Sequence, residues 1–296
     1  MKLALLAVPI LLCQSGFGAN ETSTFRAYVD TDICARLMYG PITPERRACS
    51  EKMGKDNNQP VIVRLSNNMV FTVNKTKMID KMVGQLAEVS GEIKVKSGEM
   101  KLQDAKTIEA SAVPAGPERK LLEKSPRTEP DPKVWEKVRH ELAMLPYISV
   151  YDFISFTMTG AEVTLTGWTV RQTNRYDAFN VVKNVKGVES VINNIDVLPL
   201  GSNDMQIRAG ARAALQRFLS RYFWGSGSDI KIVVKNGQII LLGTVTTKAD
   251  SDVAYIQCNG VPFAFKVFNL LRVESSDKKK KVEATTATGK KSGPGA

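Results

Sequence analysis

One histidine, four cysteines and a scatter of acids are all that this 296-residue chain offers to covalent or metal chemistry. His140 falls on the polar side of an amphipathic segment, which reads as a solvated imidazole rather than a general base beside a nucleophile. No cysteine or histidine pair has the short spacing that grips zinc, so neither a metal nor a cofactor is expected. No glycine-rich loop runs into Lys-Ser or Lys-Thr, as a phosphate-loop nucleotide site requires. Gly225-Ser226-Gly227-Ser228 reads as a loop only. The carboxylates are not paired for acid–base hydrolysis. These residues point away from an enzyme with a small-molecule substrate and toward binding.

The chemistry that is available is electrostatic and interfacial. Lys and Arg number 41 against 30 acids, a net charge of +11, and the surplus is uneven. Residues 131–200 carry seven basic and eight acidic side chains, residues 201–274 nine and five, and residues 275–296 six and two. A helical stripe of Ile207, Ala211, Ala214, Leu215, Phe218 and Tyr222 is flanked by Arg208 and Arg212 on one side and by Arg217 and Arg221 on the other. It ends Arg221-Tyr222-Phe223-Trp224. Long basic stems that snorkel around an apolar stripe, with an indole at its end, suit an anionic phospholipid headgroup region. The candidate contacts are Arg217, Arg221, Trp224 and Lys231, joined by Lys278, Lys279, Lys280 and Lys281 of a tail (275–296) with no apolar periodicity, expected to be disordered. The competing readings are a core-facing helix with solvated flanks and a tail that only solubilises.

The elements that would position these groups begin after a leader. Lys2 precedes an apolar run from Leu3 to Cys13 that is shorter than the roughly 20 residues a bilayer span needs. Small residues follow, so 1–19 reads as a secretory signal cleaved near Gly18 or Ala19, the alternative being a buried helix. Leu12 before Cys13 disfavours lipoprotein anchoring, and a periplasmic or secreted location follows. In an oxidising compartment Cys34 and Cys49 can pair across a loop holding Gly40, Pro41 and Pro44, worth about 3 kcal/mol in the chain-entropy picture. Cys258 then remains as a buried thiol on an apolar helical pattern.

Residues 24–110 read as β structure. Pro60–Leu65 and Met69–Val73 form a hairpin pattern, Leu86–Val95 alternates, and Met100–Glu109 closes the set. The Gly84…Val89-Ser90-Gly91-Glu92-Ile93 stretch resembles a small exported OB-like domain. Such barrels bind oligonucleotides or sugars in some families. Phe71 is the single aromatic on the expected strands, which argues against nucleic acid and for a structural or protein-contact module. Prolines at 114, 117, 126, 130 and 132 mark residues 111–130 as a semi-rigid linker.

Beyond the linker the chain repeats. Val163-Thr-Leu165-Thr-Gly167 aligns with Ile239-Ile-Leu241-Leu-Gly243 at an offset of 76, and the offset carries Ala178 to Ala254, Asn193 to Asn269 and Val197 to Val273. The preceding helices align at 73, so the second copy holds three extra residues between helix and strand. Each copy reads as helix, two strands, helix, strand: an α+β sandwich in 131–200 and again in 201–274. Val134, Trp135, Val138, Leu142 and Leu145 form the first helical stripe, and Asp131-Pro132 and Asp204 are the expected helix starts.

The runs Gly160-Ala-Glu-Val-Thr-Leu-Thr-Gly167 and Val185-Lys-Gly187-Val-Glu-Ser-Val-Ile-Asn193-Asn-Ile-Asp-Val197 resemble the BON domain, the bacterial OsmY-and-nodulation family, and the second copy follows with Gly237, Gly243 and Asn269. Opposite Gly187 stands Phe263, after Pro262, which implies a different backbone or a shifted turn there. The resemblance implies non-enzymatic envelope proteins that contact phospholipid membranes and help preserve the envelope under osmotic stress, with no catalytic residues. Two further readings stay open: an envelope adaptor recognising protein or glycan through the tandem sheets and the OB-like domain, and nucleic-acid binding through tail and barrel. Export and the missing aromatic platform argue against the second.

Overall fold

The computed structural model describes residues 21–74, 76–94, 98–114, 116–120, 122, 129–223 and 229–274. The expected signal segment, Trp224, the Gly225–Ser228 loop and the tail with Lys278–Lys281 lie outside the described residues.

Strand β1 (Glu21–Thr31) opens a closed five-stranded barrel with β2 (Pro60–Arg64), β3 (Val70–Val73), β4 (Leu86–Lys94) and β5 (Glu99–Thr107), in the order β1-β2-β3-β5-β4. One side of each strand supplies the interior, with Ala27, Val29, Ile62, Phe71, Val89 and Met100 buried together. Helix α3 (Lys77–Lys81), capped by the Thr76 hydroxyl, adds Ile79 to this core. The barrel has aromatics besides Phe71, because β1 contributes Phe25 and Tyr28. Neither makes an open platform: Tyr28 is buried, and Arg64 stacks 4.1 Å from the Phe25 ring centre. The Pro-rich segment starts on the barrel, where Val113 is buried and Glu118, in the short turn α4 (Pro117–Lys120), pairs with Arg26 at 3.2 Å.

Where a loop was expected between Cys34 and Cys49, the chain forms α1 (Asp32–Leu37) and α2 (Pro44–Lys55), joined by the disulfide with Cα atoms 6.0 Å apart. Helix α2 starts on Thr43, whose hydroxyl accepts from Arg46 N, with Pro44 at the first position. Its buried Arg46 donates to Asp30 of β1 at 2.8 Å, and Ser50 donates to the same carboxylate at 2.6 Å.

Both copies of the repeat form the expected sandwich. The first holds α5 (Pro132–Ala143), β6 (Phe153–Thr159), β7 (Glu162–Thr169), α6 (Gln172–Lys183) and β8 (Ser190–Val197). The second holds α7 (Ser202–Leu219), β9 (Ile230–Lys235), β10 (Gln238–Val245), α8 (Lys248–Asn259) and a last strand split into β11 (Lys266–Asn269) and β12 (Arg272–Val273). The middle strand, β7 or β10, pairs antiparallel with its hairpin partner and parallel with the strand returning from the second helix. Asp131 caps α5 as expected, but α7 starts two residues before Asp204. The Asp204 carboxylate instead accepts from Asn236 N at 2.9 Å and Gly237 N at 2.8 Å, fixing the β9–β10 turn.

The helices cover one face of each sheet, with Val163 and Leu165 turned toward α5 and α6, and Ile239 and Leu241 toward α7 and α8. The opposite faces are also buried. Trp168 of the first sheet and Val233, Ile240, Leu242 and Phe268 of the second share one core with Ile33, Cys34 and Met53 of the disulfide-linked helices. The α1–α2 pair is therefore a wedge between two sheets. Buried on both faces, β7 and β10 are almost continuously apolar or small.

Polar groups inside this junction fix the docking. Asp32, at the start of α1, accepts from Arg36 Nε at 2.7 Å, Trp168 Nε1 at 2.8 Å and Lys235 Nζ at 3.1 Å. Lys235 also reaches Asp196 at 2.6 Å, and Arg36 donates to the Asn194 carbonyl. Asn194 holds Val70 N and the Asn68 carbonyl of the barrel, while Asn58 meets Gln238 at 3.2 Å. Burial alone would raise the Asp32 carboxyl, but Arg36 and Lys235, with the indole N–H, hold it well below the usual carboxylate range.

Asp32→Asn leaves two buried cations sharing Asp196, so urea denaturation should register a loss of about 3–5 kcal/mol. The depressed carboxyl contributes stability fully above its unfolded pKa of about 4 and loses it as pH falls through the folded value, so the parent protein should weaken in acid and the variant should show less of that acid dependence. Replacing Cys34 and Cys49 together by Ala should cost about 3 kcal/mol, matched by the effect of reductant on the parent. Identical unfolding midpoints with and without reductant would remove the staple from the account.

Candidate binding surface

A surface that binds must be one the fold leaves open. The sheet faces expected to recognise an envelope partner are closed by the chain's own α1–α2 wedge, since Trp168, Val233 and Ile240 lie in the inter-domain core. Most of what each copy turns outward is its helical layer and its loops.

In the second copy that layer is basic, though not all of its arginines take part. Arg208, placed by periodicity on the flank, is buried and donates to the carbonyls of Pro199 at 3.0 Å and Val234 at 2.9 Å. Arg212 and Arg217 are exposed. Phe218, placed by periodicity on the apolar stripe, is 51% exposed, with the Arg217 guanidinium 5.6 Å from its ring centre. At the 73-residue offset it matches Leu145, which is buried because α5 ends at Ala143 and the chain turns inward, whereas α7 stays helical to Leu219. Arg221 is exposed and paired with Asp250, which also accepts from Tyr222 at 2.8 Å and Thr247 at 2.7 Å. This network ties the end of α7 to the start of α8. Lys231 is only half-exposed and directs its ammonium to the Ser149 carbonyl of the first copy at 3.4 Å, with burial lowering its pKa. Of the sequence candidates, the structure thus brings Arg217, at the exposed end of α7, next to Arg221, in the 3-10 turn Ser220–Phe223 that follows it, and leaves Lys231 at the junction of the copies.

The repeated motif residues do structural work that is the same in both copies. A Cβ on Gly167 would meet the Phe153 carbonyl oxygen at 2.0 Å, and one on Gly243 the Asp229 carbonyl oxygen at 1.9 Å, so the hairpin strands close only over glycine. Asn193 donates to Arg175 O at 3.0 Å and accepts from Ile195 N, and Asn269 does likewise with Ser251 O at 2.9 Å and Leu271 N. These side chains pin the third strand to the second helix. Neither the different backbone nor the shifted turn expected at Phe263 is found. Phe263 takes φ 67°, the same left-handed region as Gly187 at 105°. A side chain in this region costs about 1–2 kcal/mol. Phe263→Gly should therefore raise the unfolding free energy by about 1 kcal/mol in urea, the ring being largely exposed. A loss of stability would mean that the exposed ring is held by packing.

The remaining reactive groups are placed as solvated or inert. His140 is exposed on α5. Cys258 is a buried free thiol whose pKa burial pushes up to about 12. Among the described residues no group of three or more His, Cys, Asp or Glu could hold a metal ion, and no helix is long and apolar enough to cross a membrane. A polar cleft of about 460 Å³ opens where the three domains meet, lined by Gln59, Thr72, Arg175, Asp196 and Lys235, but Lys235 and Asp196 are already paired there.

A closed barrel is thus followed by two wedge-locked αββαβ units of one tandem repeat. Residues 130–199 and 208–275 each match the BON domain family, so the carboxy-terminal half of the chain is a pair of BON domains, a non-enzymatic binding module. Comparison with curated proteins finds no match. Two solved structures of CdsD, a structural protein of the type III secretion system of Chlamydia trachomatis, are similar over about half of this chain. One, of its C-terminal domain, is 9% identical, with 49% of this chain and 99% of that chain covered and a TM-score of 0.20. The other is 10% identical, with 50% and 97% covered and a TM-score of 0.21.

Proposed function

We propose that this is an exported, non-enzymatic envelope protein that binds anionic phospholipid surfaces and thereby supports envelope integrity. The observation that carries this reading is the exposed basic and aromatic end of α7, with Arg217, Phe218 and Arg221 on a domain of net +4, while both sheet faces are turned inward. A helical layer that offers cations beside an exposed ring has the chemistry of an interfacial contact. Lys278–Lys281 and Trp224 add charge and an amphipathic ring by sequence, and Lys231 adds positive field from beside Ser149. The Cys34–Cys49 disulfide supports an oxidising, periplasmic or envelope setting.

Flotation of the full chain with phosphatidylglycerol–phosphatidylcholine vesicles tests this. Binding should be strong at low salt, weaken as salt rises, and fall by about thirty-fold or more in Arg217→Glu/Arg221→Glu, since each basic residue near such a surface contributes about 1 kcal/mol and reversal adds repulsion. Binding that ignores both salt and charge reversal would end the electrostatic reading.

A further inference from the structure

The repeat is an internal control, because the same backbone is built twice from different residues. At the 76-residue offset, Lys186-Gly187-Val188-Glu189 of the first copy becomes Pro262-Phe263-Ala264-Phe265, and Asn180 becomes Ile256. The local structure does not change. Glu189 N donates to Ala161 O at 3.0 Å, and Phe265 N donates to Gly237 O at 3.1 Å. The fold thus accepts Asn, Gly and Glu at these positions. The second copy instead holds apolar side chains there in solvent: Phe263 is 67% exposed, Phe265 62% and Ile256 62%. Phe263 is kept in spite of its left-handed backbone.

The rings are also positioned. Phe265 lies on the tip of the β9–β10 turn, where a Cβ on Gly237 would come within 2.5 Å of it. The first copy has Ala161 at that place. Phe263 and Phe265 form one wall of a cleft of about 410 Å³ whose other wall is Pro199, Gly201 and Ser202 before and at the start of α7. Leu200, between those residues, is 65% exposed. This corner lies toward the opposite end of α7 from Arg217, a separation of about 20 Å at 1.5 Å per residue. Ile256 and Tyr255 lie along the exposed side of α8 between the two ends.

Resting on the phospholipid reading above, we infer that the Pro262–Phe265 corner is an apolar anchor that enters the headgroup–acyl boundary of an anionic bilayer. The charge of the domain selects this occupant: residues 201–274 carry nine basic and five acidic side chains, so an anionic lipid surface is drawn to the same body that displays the rings. Aromatic and aliphatic groups on a basic body are what interfacial insertion needs, cations for the headgroups and rings for the layer beneath. The first copy, with net −1 and Lys-Gly-Val-Glu at the corner, lacks both parts.

The test gives the second copy the residues of the first. The full chain and Phe263→Gly/Phe265→Glu are floated with phosphatidylglycerol–phosphatidylcholine vesicles across a salt series, with urea unfolding to establish that the variant is folded. The inference expects parent binding, and a variant partition coefficient lower by on the order of ten-fold or more, from the apolar surface withdrawn. That loss should persist at high salt, where the Arg217 and Arg221 contribution is screened. Parent binding with an unchanged variant overturns the anchor and leaves the lipid reading intact. A parent that does not bind vesicles overturns both. Phe263→Gly alone separates the rings: its fold is expected to be no weaker than the parent, so a partial loss of binding assigns that share to Phe263. As a direct readout, Phe263→Trp should gain quenching by bromolipid over the parent, and absence of that gain also overturns the anchor.

Discussion

The Asp32 carboxylate sits where three domains meet, nearly shut off from water, and no one domain can satisfy it. Arg36 comes from its own helix, Trp168 from the first BON domain and Lys235 from the second, and Asp196 shares both cations. An unpaired buried charge is far more costly than an unmade surface contact, so the ions are satisfied together or not at all. Around them Ile33, Met53, Trp168, Ile240 and Phe268 supply the apolar area. The apolar surface drives association without choosing an orientation. The directional bonds then select the arrangement in which Trp168 and Lys235 reach one carboxylate.

This constraint decides which surfaces remain for partners. A three-stranded sheet covered on one side by helices has a second face to bury, and here both such faces are spent on the α1–α2 wedge. The barrel therefore acts as an internal partner of the BON pair, consistent with its aromatic side chains being buried or stacked under Arg64. The disulfide shares that core, since Cys34 and Cys49 lie among its members. What faces outward is the helical layer with its connecting corners.

The two BON domains have diverged within that layer while the frame stayed fixed. The glycines under the hairpin and the asparagine pinning the third strand make equivalent contacts in both. Such positions are constrained by sterics and by buried hydrogen bonds, so their residue types recur. Outward positions carry no such constraint. There the first domain is near-neutral and polar, and the second is basic, with a longer helix ending in Arg217 and Phe218 and a corner ending in Phe263 and Phe265. Both domains complete the assembly through their inner sheet faces, and they differ in what their outward layers display.

Local pattern was enough to define the repeat, the sandwich order, the OB-like barrel and the Cys34–Cys49 pairing, because each rests on periodicity, turn glycines or short chain separation. It misassigned Phe218 and Arg208, whose helical angles place them at the margins of the stripe, where neighbouring elements decide exposure. It gave no sign of the helical wedge, since α1 is a single six-residue stretch and α2 is mostly polar, and their apolar contacts come from sheets more than 100 residues away. Asp32 and Lys235 are 203 positions apart, and nothing in either local stretch names the other. The backbone at Phe263 was likewise beyond local reading, because the turn is held by hydrogen bonds to the β9–β10 hairpin that overrule the residue's own preference. Sequence alone determined the elements of the repeat and that they form twice. Only tertiary structure decided which faces they hide, because burial is set by long-range contacts that no window of the chain contains.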